Sequence, residues 1–143
     1  MTTKTIAAAA FVLLVATAGA SWADTMKVTA DLKGGTETPP NDTKGSGMLT
    51  GTYDPSTKKL TWDVTYSGLT GPATAAHFHG PAPVGKAAGI EIPIKGALAS
   101  PMKGDATLTD DQAKNLTDGM TYFNIHTAAH KPGEIRGQVM LEK

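Results

Sequence analysis

Cysteine is absent from this chain of 143 residues. Its absence removes disulfides, thiolate nucleophiles, iron–sulfur clusters, Cys-type zinc sites and a lipidated cysteine from consideration. Net charge is absent as well, since 13 Lys and Arg balance 13 Asp and Glu. A nucleic-acid binder needs a basic surplus to displace counterions from phosphates, and an anionic membrane surface calls for a polybasic patch. Neither is present, so nucleic acid is not an expected partner. Aromatic residues are scarce at 6%, whereas Gly (16) and Pro (9) are plentiful. With 40% hydrophobic residues, this composition describes one small, neutral, turn-rich globular domain.

The one long apolar run lies at the start. Met1–Lys4 carries a positive charge, and Thr5–Ala20 is almost unbroken in its hydrophobicity. Ser21 and Ala23 then place small residues at the −3 and −1 positions before Asp24. This is the layout of a secretory signal peptide over residues 1–23, cleaved after Ala23, rather than of a membrane anchor. The expectation is a periplasmic or secreted domain over residues 24–143, with no membrane span.

That domain reads as strands. Met26–Leu32 alternates apolar and polar residues, the mark of a half-buried antiparallel strand. Gly47–Tyr53 and Leu60–Tyr66 follow, joined by the turn Asp54-Pro55-Ser56-Thr57. Further strands fit Ala75–His79, Ile90–Lys95, Lys103–Leu108, Thr121–His126 and Glu134–Leu141. Pro93 within its run points to a sheet edge or a bulge. Thr109-Asp110-Asp111-Gln112 has capping-box spacing for one short helix, with Gly119 as its stop. About eight short strands separated by frequent turns predict an all-β sandwich.

Chemistry concentrates in the histidines. His77 and His79 flank Phe78 in AHFHG, while His126 and His130 lie in NIHTAAH. Residues i and i+2 of a strand share a face, so both rings of the first pair can meet one ion while Phe78 enters the core. His126 would end its strand and His130 would sit in the loop beyond it. Together the four make a candidate all-imidazole metal site, provided the two strands are neighbours; otherwise the histidines are ordinary polar positions. Imidazole ligation suits copper or zinc, and the intrinsic affinity order favours Cu(II). Arg136 is the only arginine. It is read either as a sheet-face ion pair with Glu134 or a neighbouring carboxylate, or as a buried fork that holds a carboxylate or loop carbonyls near the histidine loop or steers an anion toward the metal. Asn124 alternates in phase with His126 and is a candidate hydrogen-bond partner of a ligand. The dispersed methionines read as core filling, with Met120 and Met140 the two to watch.

The stretches AHFHGPAPVGKAAGI (Ala76–Ile90) and YFNIHTAAHKPGEIRGQV (Tyr122–Val139) resemble the two signature blocks of the CHRD (chordin-type) domain. Thr36-Glu37-Thr38-Pro39-Pro40 is similar to the N-terminal portion of that family. The resemblance implies an immunoglobulin-like Greek-key β-sandwich. A more distant similarity is to copper/zinc superoxide dismutase, where a His-x-His strand pair, further His ligands and a late Arg serve the copper. It would give His77, His79, His126 and His130 ligand roles and Arg136 an anion-guiding one. The disulfide and the zinc ligands of that enzyme have no counterpart here, leaving at most a copper-only site. The expected function is therefore an exported copper-binding protein, with redox activity toward superoxide or transfer to a copper-handling protein as its two forms. The alternative is a metal-independent interaction module of the cell envelope.

Overall fold

The computed structural model describes residues 24–143. The expected export segment and its cleavage site lie outside the described residues. Nine strands and one helix follow in the order β1 (Met26–Lys33), β2 (Ser46–Asp54), β3 (Lys59–Ser67), β4 (Ala73–His79), β5 (Ile90–Pro93), β6 (Met102–Thr107), α1 (Asp110–Thr117), β7 (Tyr122–Thr127), β8 (Ile135–Gln138) and β9 (Met140–Glu142). They form a sheet ordered β5-β4-β7-β8-β1-β2-β3-β6, with β9 on the edge of β1. Every pairing is antiparallel. The all-β expectation holds, and the single expected last strand is two. It breaks at Val139, whose N–H leaves the ladder to bond the carbonyl of Thr121.

The sheet curls back on itself. β3 and β4 lie near opposite ends of the strand order, yet the rings of Trp62 and Phe78 meet edge to face with centroids 5.2 Å apart. Between the two halves sits one apolar core, built from the inward positions the alternation predicts. Val28, Ala30 and Leu32 come from β1, Leu60, Trp62 and Val64 from β3, and Phe123 and Ile125 from β7. Burying a large apolar side chain contributes roughly 1.5–3 kcal/mol, and this core serves in place of disulfides. Pro93 ends β5, the outermost strand on its side, where a missing N–H removes nothing from the ladder. Thr109 and Gln112 exchange the two bonds of a capping box at the start of α1. Gly119 takes a positive φ of 71° at the stop.

Around β4, β7 and β8 both faces of the sheet are covered. The inner face is apolar. On the outer face His77 pairs with Asn124 and His79 with Tyr122, while Asn124 pairs with Arg136. Segments of the loops after β1, β4 and β7 fold over these residues through contacts from Thr38, Lys86 and Lys131. The result is a second, polar interior, and the candidate site lies within it.

Candidate metal centre

Adjacency of β4 and β7 is the condition the histidine hypothesis required, and the register satisfies it. His77 opposes Asn124 and Ala75 opposes His126, so the rings of His77, His79 and His126 project from one face of two neighbouring strands. One ligand atom from each lies within 4.8 Å of the others. His77 and His126 have ring centroids 4.9 Å apart, and His77 and His79 5.3 Å. His79 is buried and the other two are half-buried.

The hydrogen bonds determine which ring nitrogens are available. A carbonyl oxygen only accepts, so a ring nitrogen bonded to one must carry the proton. His126 Nδ1 donates to the carbonyl of Lys131 at 2.7 Å, and His79 Nδ1 donates to the carbonyl of Ala88 at 3.0 Å. Each ring thereby presents Nε2 to the site, the arrangement in which metal-binding imidazoles are usually held. The remaining contact joins His77 Nδ1 to His126 Nε2 at 3.0 Å. Burial, and then the neighbouring His126 and His79 rings, depress His77 to about 4. His79 is lowered as well, chiefly by burial. Both rings thus stay neutral through the physiological range, the form that donates a lone pair to a metal.

His130 does not join this grouping. Its backbone closes the turn after β7 through reciprocal bonds with Thr127, and it is Lys131 from that loop which reaches back to His126. Three residues beyond the end of β7, spacing no longer sets direction. The histidines that the structure brings together are therefore His77, His79 and His126.

Arg136 is buried at 2% exposure. Its guanidinium lies 3.4 Å from the centroid of the Tyr122 ring and donates to Thr38 Oγ1 at 3.1 Å and to the carbonyl of Lys86 at 2.6 Å. Steering an anion needs a charge that solvent can see, and this placement instead matches the buried fork that holds a loop carbonyl. Tyr122 also stacks on His79, 4.7 Å between centroids and 4° between planes. Because His79 and Arg136 come from the strands on either side of β7, the tyrosine ring is held between an imidazole and a cation.

Two further residues escaped the sequence reading. Glu37, 5% exposed, has an Oε1 with no hydrogen-bond partner. Burial raises its carboxyl to about 7, although the Thr38 N–H, the Arg136 charge and the Asn124 amide pull it down. Its one signal was its place in the Thr36–Pro40 block. Tyr122 read only as the start of a strand, because stacking between strands leaves no trace in linear spacing. Asn124 does reach the cluster, its Oδ1 standing 3.0 Å from His79 Nε2. Glu134, which sequence alone allowed as a partner of Arg136, is held elsewhere by the hydroxyls of Thr43, Thr70 and Thr127.

Comparison with known proteins gives one match. The model of the CHRD domain family covers residues 28–139. No curated protein and no solved structure matches the chain, so the likeness to copper/zinc superoxide dismutase gains no support from these comparisons.

Proposed function

The chain belongs to the CHRD domain family, and from that premise we propose that it is an exported metal-binding protein that holds one copper ion through His77, His79 and His126. The observation that carries this reading is the convergence of three imidazoles from two adjacent strands, with Nδ1 of two of them fixed by backbone carbonyls. Nitrogen ligation of a divalent ion follows an affinity order that peaks at Cu(II), with zinc the next choice. The reading is one of binding and handling rather than of turnover on superoxide, because Arg136 is occupied beneath the loops. The partner class is a metal ion and a protein that delivers or receives it. Export rests on the layout of residues 1–23. No helix among the described residues is long and apolar enough to cross a membrane.

One observation favours the metal-independent interaction module. His77 and His126 satisfy each other by a direct hydrogen bond, so these two rings have a stable arrangement without an ion. Titration with Cu(II) separates the two readings. Stoichiometric binding that is lost in His77→Ala and His126→Ala, and kept in His130→Ala, supports the metal site. Equal weak uptake by all four proteins leaves the interaction module standing.

A further inference from the structure

The contact between His79 and Asn124 pairs two acceptors across a buried gap. His79 Nδ1 faces the carbonyl of Ala88 and so carries the ring's proton, which leaves Nε2 as a lone pair in the neutral imidazole. The atom 3.0 Å from that lone pair is Asn124 Oδ1, itself an acceptor. His79 is 8% exposed and Asn124 2%, so water is largely excluded.

Turning the asparagine amide around does not relieve this contact. Asn124 Nδ2 points to the carbonyl of Pro132 at 3.4 Å. It also crowds the same space above Gly133 as Glu37 Oε1. A Cβ on that glycine would lie 2.7 Å from the amide nitrogen and 2.2 Å from the carboxyl oxygen. A reversed amide would set its oxygen against the Pro132 carbonyl, which can only accept. The orientation is therefore determined from behind, and Oδ1 is held toward the histidine.

Two lone pairs held together in a buried site require a positive charge between them. A second proton on His79 would supply it only by burying an imidazolium against the rings of His77 and His126. A metal ion supplies it with no such cost, and two atoms 3.0 Å apart can both lie about 2.1 Å from one ion. Resting on the copper-binding reading above, we propose that Asn124 Oδ1 is a fourth ligand, completing a three-nitrogen, one-oxygen set with His77, His79 and His126. A hard oxygen donor selects the oxidised, divalent ion, so the site holds Cu(II) in preference to Cu(I). The Pro132 carbonyl is the positioning group that aims the amide.

The test uses Asn124→Ala and Asn124→Asp in the full chain, titrated with Cu(II) and Cu(I) in competition with chelators. The alanine variant is expected to lose roughly 10–100-fold in Cu(II) affinity while Cu(I) affinity changes little. The aspartate variant, which restores an oxygen at the same place, is expected to recover Cu(II) binding. The electron paramagnetic resonance spectrum of the alanine variant should shift as an oxygen donor is lost. Cu(II) affinity within twofold of wild type and an unchanged spectrum in Asn124→Ala would overturn the inference and leave the three-histidine reading intact. Failure of the wild-type protein to bind any metal would overturn both, and nitrogen-15 spectra showing both ring nitrogens of His79 protonated would then identify the cation as a proton.

Discussion

Glu37 and Glu134 are both buried, and their surroundings move them in opposite directions. Around Glu134, burial alone would raise the carboxyl. Hydroxyls of Thr127, Thr43 and Thr70, with the Thr70 N–H, outweigh it and hold the group at about 2. Glu37 lacks such a cage and is raised to about 7 from an ordinary 4.5. Between those two values the folded protein keeps a proton that the unfolded chain has released. Stability therefore falls as pH climbs through that window, by up to roughly 3 kcal/mol at about 1.4 kcal/mol per unit. Glu37→Gln has no such dependence, so its stability relative to wild type should rise between pH 4.5 and pH 8. Urea unfolding at the two pH values checks this, and an equal difference at both would refute it. His77 has the opposite sign, since its pKa in the folded protein lies below 6.5. Its contribution is complete above pH 6.5 and declines as pH falls toward 4. Gly133, at φ 138° and against Glu37 and Asn124, tolerates no Cβ. Gly133→Ala should cost about 1–3 kcal/mol in backbone strain alone, read as a lower urea midpoint, and should also weaken copper binding by displacing Asn124.

At the level of elements, strands bring the three imidazoles together and loops orient them. β4 and β7 supply all three imidazoles, whereas the carbonyls that set the tautomers come from Ala88 and Lys131, in the loops after β4 and β7. Those loops need anchors. Glu134 is one, fully buried and tying the segments at Thr43, Thr70 and Thr127 to the start of β8. Thr127→Val removes one of its donors while keeping the shape of the side chain. Because the acceptor is charged, the expected cost is about 1.5–3 kcal/mol. A thermal unfolding comparison at pH 7 measures it, and a loss below about 0.5 kcal/mol would mean the cage does not anchor the loops. The helix has a simpler dependence. Thr109→Ala deletes one half of the capping box and should cost about 1 kcal/mol, visible in the same unfolding experiment and without effect on copper affinity.

Across the whole molecule, the proposed copper site and the fold are linked. The three imidazoles belong to strands that also line the main core through Phe78, Phe123 and Ile125, so the unfolded chain cannot reproduce their arrangement. Copper at a hundred times its dissociation constant should stabilise the folded state by about 2.7 kcal/mol. Scanning calorimetry should show a raised Tm for wild type and none for His77→Ala. The parts of this design visible in the sequence are those with short periods. Alternation marked the strands and the inward residues, capping-box spacing marked the helix start, and proline's missing N–H marked Pro93 as an edge or bulge position, because local sterics and burial act on neighbours one to four residues apart. Alternation also placed His77, His79, His126 and Asn124 on outward faces. That β4 pairs with β7, that His130 stays outside the cluster, and that Glu37 comes to lie over Gly133 were decided only by the curled sheet and its covering loops. The first and last of these join segments far apart along the chain, and which distant segments meet depends on how the whole apolar core packs.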